Sequence, residues 1–142
     1  MSEEKNKELV RRFYALIDNG ELEKVKELMT EDYTLHYVGI PEPLDGNTTI
    51  QLVKGFYTAF PDYVHVIDAI ITAGNEAAVR LTFHATHQKE FEGIPATGKP
   101  VTYSGMHMIT ITRGKVRKMW ALEDSLGLMQ QIGMELKPKV AE

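Results

Sequence analysis

The sequence predicts an α+β domain in which helices come first and a strongly curved, mainly antiparallel sheet follows and wraps around them. Three observations predict it. Apolar residues recur at helical spacing up to Ala59 and rarely afterwards, whereas from Tyr63 onward they alternate or run in β-branched stretches. Strands do not alternate with helices, as a doubly wound parallel sheet would require. A curved sheet of this kind can enclose a cavity.

The elements follow in order. Leu9, Val10, Phe13, Leu16 and Ile17 predict a first helix over Glu4–Asn19, and Asn19-Gly20 tolerates the left-handed cap that ends it. Leu22, Val25, Leu28 and Met29 predict a second helix over Glu21–Met29. Tyr33–Val38 reads as a short strand, and Pro41, Pro43 and Gly46 mark a loop. Asn47-Thr48-Thr49 supplies cap candidates for a third helix ending near Ala59. Tyr63–Ile71, with a turn at Gly74-Asn75, is the first long strand, and Ala77–His87 is the second. After a loop containing Gly93, Pro95 and Gly98, Val101–Arg113 and Val116–Leu122 form a hairpin around Arg113-Gly114. A short helix over Ser125–Ile132 stops at Gly133.

A length of 142 residues fits one domain spanning 1–142, with about 136–142 expected as a frayed tail. The formal charge of −4 argues against nucleic acid, which calls for a basic face. No apolar stretch reaches membrane-spanning length, and the N-terminal residues lack the apolar core of a signal peptide. Cysteine is absent, which removes thiolate chemistry and fits a cytoplasmic setting.

Few residues suit catalysis. There is no G-x-S-x-G elbow and no phosphate-binding glycine loop. His84 and His87 stand at odd spacing on a strand and point to opposite faces, so no metal site is expected. Asp124 is the leading acid/base candidate. It shares one side of the last strand with Trp120 and Leu122, and a carboxylate facing an apolar cavity would have its pKa raised into a useful range. Asp124-Ser125 also precedes a helix, where Asp is a favoured N-cap, so both readings stand. His107 shares a strand face with Tyr103, Ile109 and Ile111, and His36 is a further candidate. Tyr14, Tyr33, Tyr57, Phe83, Phe91, Tyr103, Met108 and Trp120 would suit a flat, hydrophobic ligand, although such residues are core-formers first. Arg80, amid apolar neighbours, calls for solvent or an ion pair, for which Asp68 is the candidate.

These segments together resemble the SnoaL-like polyketide cyclases of the nuclear transport factor 2-like superfamily. The resemblance is carried by Phe13-Tyr14 with Asn19-Gly20-Glu21-Leu22, Asp32-Tyr33-Thr34-Leu35-His36 and Ala59-Phe60-Pro61-Asp62. Thr86-His87 followed by Glu90-Phe91-Glu92-Gly93-Ile94-Pro95 and Thr97-Gly98 is its most specific part. Ala85, Lys89 and Ala96 depart from the family pattern there. The closing segments, Gly114–Trp120 and Asp124–Gly133, complete it. The resemblance implies a cone-shaped barrel of a mixed, mainly antiparallel sheet, packed as a homo-oligomer (dimer or tetramer) through the outer sheet face. It implies an intramolecular aldol condensation of a hydrophobic carbonyl compound with no metal or cofactor. It also places the family's acid/base aspartate at Asp124, with His36 and His107 as orienting groups. Two other readings remain: a non-catalytic small-molecule binder, and a hydrolase resembling limonene epoxide hydrolase, which would need a second carboxylate beside Asp124 and Arg80.

Overall fold

Helix α1 (Glu3–Asp18) opens the chain, its N-cap Ser2 accepting a hydrogen bond from the Lys5 backbone N–H at 3.2 Å. The computed structural model describes residues 2–140. Six apolar or aromatic side chains of α1 (Leu9, Val10, Phe13, Tyr14, Leu16 and Ile17) are buried, at about 1.5–3 kcal/mol for each large one. Helix α2 (Leu22–Glu27) is one turn shorter than its apolar spacing suggests, because Met29 already belongs to strand β1 (Met29–Tyr37). Helix α3 (Gly46–Ala59) begins at Asp45, whose carboxylate accepts from Thr48 N at 2.8 Å. The cap is therefore Asp45 rather than Asn47, Thr48 or Thr49.

Strands β2 (Val64–Ala73), β3 (Glu76–Thr86), β4 (Pro100–Thr112) and β5 (Lys115–Glu123) complete one five-stranded sheet in the order β1-β5-β4-β3-β2. Three pairings are antiparallel, and β1 lies parallel to β5. The sheet is thus mixed and mainly antiparallel, and the fold is α+β. Arg113 and Gly114, both at positive φ (52° and 73°), make the tight β4–β5 turn, which favours glycine at its second position. Helix α4 (Ser125–Gln131) follows, and residues 134–140 carry no regular structure. The expected tail falls on these residues and on 141–142, which lie outside the described residues.

Alternation divides the sheet into two faces. On β3, Ala77, Val79, Leu81, Phe83 and Ala85 are buried, and on β4 so are Val101, Tyr103, His107, Ile109 and Ile111. The helices cover this inner face. The outer face exposes Val64, Val66, Ile71, Met106, Met108, Trp120 and Leu122. Among the described residues, no helix is long and apolar enough to cross a membrane.

Candidate active site

The site is decided by the parity of β5. Met119 and Ala121 are buried on the inner face, and Glu123 follows them at period two. Trp120 and Leu122, 52% and 57% exposed, lie on the opposite face with Asp124 beyond them. Glu123, not Asp124, therefore turns inward. Gly105 is its partner across the sheet, and a Cβ there would sit 2.9 Å from Glu123 Cγ and 2.7 Å from the Phe83 ring. The missing side chain makes room for the carboxylate.

Four polar groups from α1, β1, β4 and β5 form one connected row. Tyr37 OH donates to Glu123 Oε1 at 2.8 Å, His107 Nε2 lies 2.9 Å from Glu123 Oε2, and Tyr14 OH lies 2.6 Å from His107 Nδ1. The His107 and Glu123 side chains are only 5% and 8% exposed. Burial, then the charge of Glu123, pushes the Tyr14 hydroxyl well above its ordinary value, and the same causes raise Tyr37. Both phenols stay protonated and donate. With the Tyr14 hydroxyl donating to His107 Nδ1, the imidazole N–H is on Nε2 and points at the carboxylate.

These side chains line a cavity of about 80 Å³ between α1, α3 and the sheet, together with Phe13, Tyr33, Tyr57, Tyr63 and His65. A second, wider cavity of about 670 Å³ shares Tyr37, Leu52 and Phe56 with it and is otherwise walled by the 90–92 loop, Tyr103 and α4. The inner chamber alone holds only a few atoms, well below the roughly 300–1,000 Å³ of ordinary ligand sites, whereas the outer groove falls within that range. The 88–99 loop is pinned at its base. His87 N donates to Lys99 O, Gly98 N donates to His87 O, and the buried His87 ring meets Thr97 Oγ1 at 3.0 Å.

The structure brings some predicted residues together and separates others. Tyr14, Tyr33, Tyr57 and His107 line the inner chamber, while Phe91 and Tyr103 line the groove. Phe83 is fully buried behind the chamber, its ring 4.8 Å from Tyr103. Asp124 is exposed and caps α4, accepting from Gly127 N at 2.9 Å, so the expected inward orientation is corrected to the capping one. His36 and Trp120 are paired across β1 and β5 and stack on the outer face at 4.2 Å, so neither reaches the chamber. Arg80 is exposed, and Asp68 accepts from Thr82 Oγ1 at 2.7 Å instead of pairing with it. Arg80, Asp68 and Asp124 border an open depression on the outer face, so the hydrolase set does not form inside. Among the described residues, no three His, Asp or Glu side chains are grouped to hold a metal ion.

Sequence reasoning missed Glu123, Asp18 and His65. The signal for Glu123 was local: Asp124 and Gly127 form an Asp-x-x-Gly cap, in which a Cβ at Gly127 would collide with the Asp124 carboxylate. That commitment turns the preceding residue inward. Asp18 and His65 lie 47 positions apart and carried no comparable cue.

A mixed, mainly antiparallel sheet wrapping helices over a chamber is the nuclear transport factor 2-like fold. Within that class the chain belongs to the SnoaL-like polyketide cyclase family, whose sequence model matches residues 7–132. The chain is 27% identical over 135 residues to aklanonic acid methyl ester cyclase DnrD of Streptomyces peucetius, covering 89% of each protein. It is 25% identical over 134 residues to aklanonic acid methyl ester cyclase DauD of Streptomyces sp. (strain C5), covering 89% of this chain and 80% of that protein. A solved polyketide cyclase candidate from Acidithiobacillus ferrooxidans is 28% identical with a TM-score of 0.82, over 93% of this chain and 97% of that one. AclR of Streptomyces galilaeus, a candidate hydroxylase at 24% identity, superposes with a TM-score of 0.85 over 93% of this chain and 98% of its own. That last likeness speaks to fold alone.

Proposed function

We propose that this chain is a SnoaL-type cyclase that closes a ring in a hydrophobic keto ester by intramolecular aldol condensation. The observation that carries the reading is the buried row Glu123–His107–Tyr14 beside the inner chamber. The carbon acid is activated by its own flanking carbonyls, so the protein's tasks are to hold carbon and carbonyl in attack geometry and to supply a proton to the developing alkoxide. Tyr14 delivers that proton and its phenolate is reprotonated from the groove, while His107, its Nε2–H held by the Glu123 carboxylate, keeps the phenol oxygen in place. The row therefore acts as a hydrogen-bonded wire that holds Tyr14 in place and is anchored at the Glu123 carboxylate, where sequence spacing had put the acid at Asp124. The body of the substrate rests in the outer groove between Phe56, Phe91 and Met129, and only the reacting portion enters the chamber. The curated relatives are named for a methyl ester substrate, and this supports an ester as the substrate class. Exposed Met106, Met108, Trp120 and Leu122 support a homo-oligomer joined through the outer sheet face.

The test is turnover of an anthraquinone-type keto acid methyl ester, followed by chromatography. Glu123→Gln is expected to lower kcat about 10²–10⁴-fold with KM little changed, because it removes the charge that fixes the His107 tautomer behind Tyr14 while keeping the shape. Asp124→Asn should keep the wild-type rate. Equal rates for wild type and Glu123→Gln refute the wire. Binding without turnover in the wild type favours a non-catalytic binder, a reading that explains the groove but leaves the buried row without a task.

A further inference from the structure

The chamber holds a second carboxylate–imidazole pair that the wire does not use. Asp18 Oδ1 lies 2.7 Å from His65 Nδ1 and accepts from Tyr57 OH at 2.9 Å, while Asp18 Oδ2 accepts the His65 backbone N–H at 3.1 Å. The three residues come from the end of α1, from α3 and from the start of β2. The imidazole and carboxylate are 9% and 19% exposed, and His65 and Tyr57 face the same chamber as His107 and Glu123.

Chemistry distinguishes this pair from the first. A carboxylate only accepts, so the neutral imidazole carries its proton on Nδ1 and a lone pair on Nε2. Among the described residues, that Nε2 makes no hydrogen bond and is not sealed off, whereas both nitrogens of His107 and both oxygens of Glu123 are engaged. His65 thus presents an unoccupied basic atom to the cavity. A carboxylate behind an imidazole fixes its tautomer and stabilises the imidazolium that forms on protonation. The other groups facing His65 are Tyr14 from α1, Tyr57 from α3, Tyr63 from the turn just before β2 and Phe83 from β3, none of them cationic.

We propose that His65, oriented by Asp18 and Tyr57, is a catalytic base that removes the α-proton of the enolisable substrate, leaving alkoxide protonation to the Glu123–His107–Tyr14 wire. The substrate class rests on the cyclase reading. One C–H bond breaks, its proton going to Nε2 and its electron pair to the enolate. The new C–C bond consumes the enolate, and the resulting alkoxide takes the proton of Tyr14, leaving a phenolate beside His107. Water in the groove then carries the proton from the His65 imidazolium to the Tyr14 phenolate, so the protein ends as it began.

Deuterium uptake from D2O at the α-carbon of methyl benzoylacetate, read by NMR over the buffer rate, separates this step from ring closure. The wild type is expected to accelerate exchange, and His65→Gln to lose at least about 100-fold of that acceleration. Added imidazole should restore exchange to His65→Ala, a response that lost packing alone would not give. Asp18→Asn should lower kcat for exchange and alter its pH profile while leaving KM nearly constant. Wild-type exchange rates in folded His65→Gln, no rescue of folded His65→Ala, or a wild type without exchange would each overturn the base. Exchange without ring closure on the anthraquinone-type ester would instead refute the cyclase reading and leave the base standing.

Discussion

Replacing Gly105 by alanine tests whether the inward position of Glu123 depends on an absent side chain. The new Cβ would stand 2.7 Å from Phe83 Cε2, 2.9 Å from Glu123 Cγ and 3.1 Å from the Leu122 carbonyl oxygen. Phe83 is fully buried and the Leu122 oxygen is backbone, so Glu123 is the neighbour able to give way. Moving it stretches its hydrogen bonds to Tyr37 and His107. Overpacking costs about 1–3 kcal/mol, and a weakened charge-assisted hydrogen bond adds about 1–2 kcal/mol, so roughly 2–5 kcal/mol is expected in all. For a domain of this size that lowers Tm by roughly 6–15 °C. Gly55 is the control: it lies in α3 with nothing within 4 Å of its virtual Cβ, so Gly55→Ala should stabilise by about 0.5–1 kcal/mol. Calorimetric melts of both variants, with the 15N resonances of His107, provide the readout. A Gly105→Ala protein that melts within 2 °C of wild type (roughly the effect of under 1 kcal/mol) with His107 unchanged would refute the packing argument.

Asp124→Ala should cost about 0.5–2 kcal/mol through loss of the α4 cap and leave turnover intact, as chemical denaturation and a rate assay would show. Burial pushes the Asp62 carboxyl up, but two hydrogen bonds from Thr86, each 2.7 Å, outweigh it and hold the group below its ordinary value. Its contribution is therefore present above the unfolded-state value and lost as pH falls through the lower folded one. Urea titrations should show that Asp62→Asn costs no more than about 1 kcal/mol at pH 7, because the group is exposed, and that the deficit fades below about pH 4. Trp120→Ser with Leu122→Ser should reduce the sedimenting mass to that of one chain if the outer face joins copies, and an unchanged mass would exclude that face.

The order of helices and strands was legible because apolar periodicity reports directly on burial, and β3 and β4 alternate almost without interruption. Sequence spacing also put Asp124 on the same side as Trp120 and Leu122, and this was right. What it could not supply was which side faces the helices. Trp120 and Leu122 look like core and Glu123 looks like surface, yet β5 presents them the other way round, so the residue beside the expected one took its place. Irregularities in register between Thr110 and Ile111, and between Ile67 and Ala69, further blur counting along the strands. Asp18–His65 and Tyr14–His107 join residues 47 and 93 positions apart, and such pairings exist only once the topology is known.

The parallel pairing of β1 with β5 has a kinetic corollary. Tyr37 and Glu123 meet across 86 positions, so one wall of the chamber is made from the two strands that leave the ribosome furthest apart in time. Until β5 docks, β4 and β1 both offer unpaired edges, a state open to association with other chains. The candidate site and the completed sheet therefore arrive in the same late event, and an incompletely folded molecule has no half-built chamber.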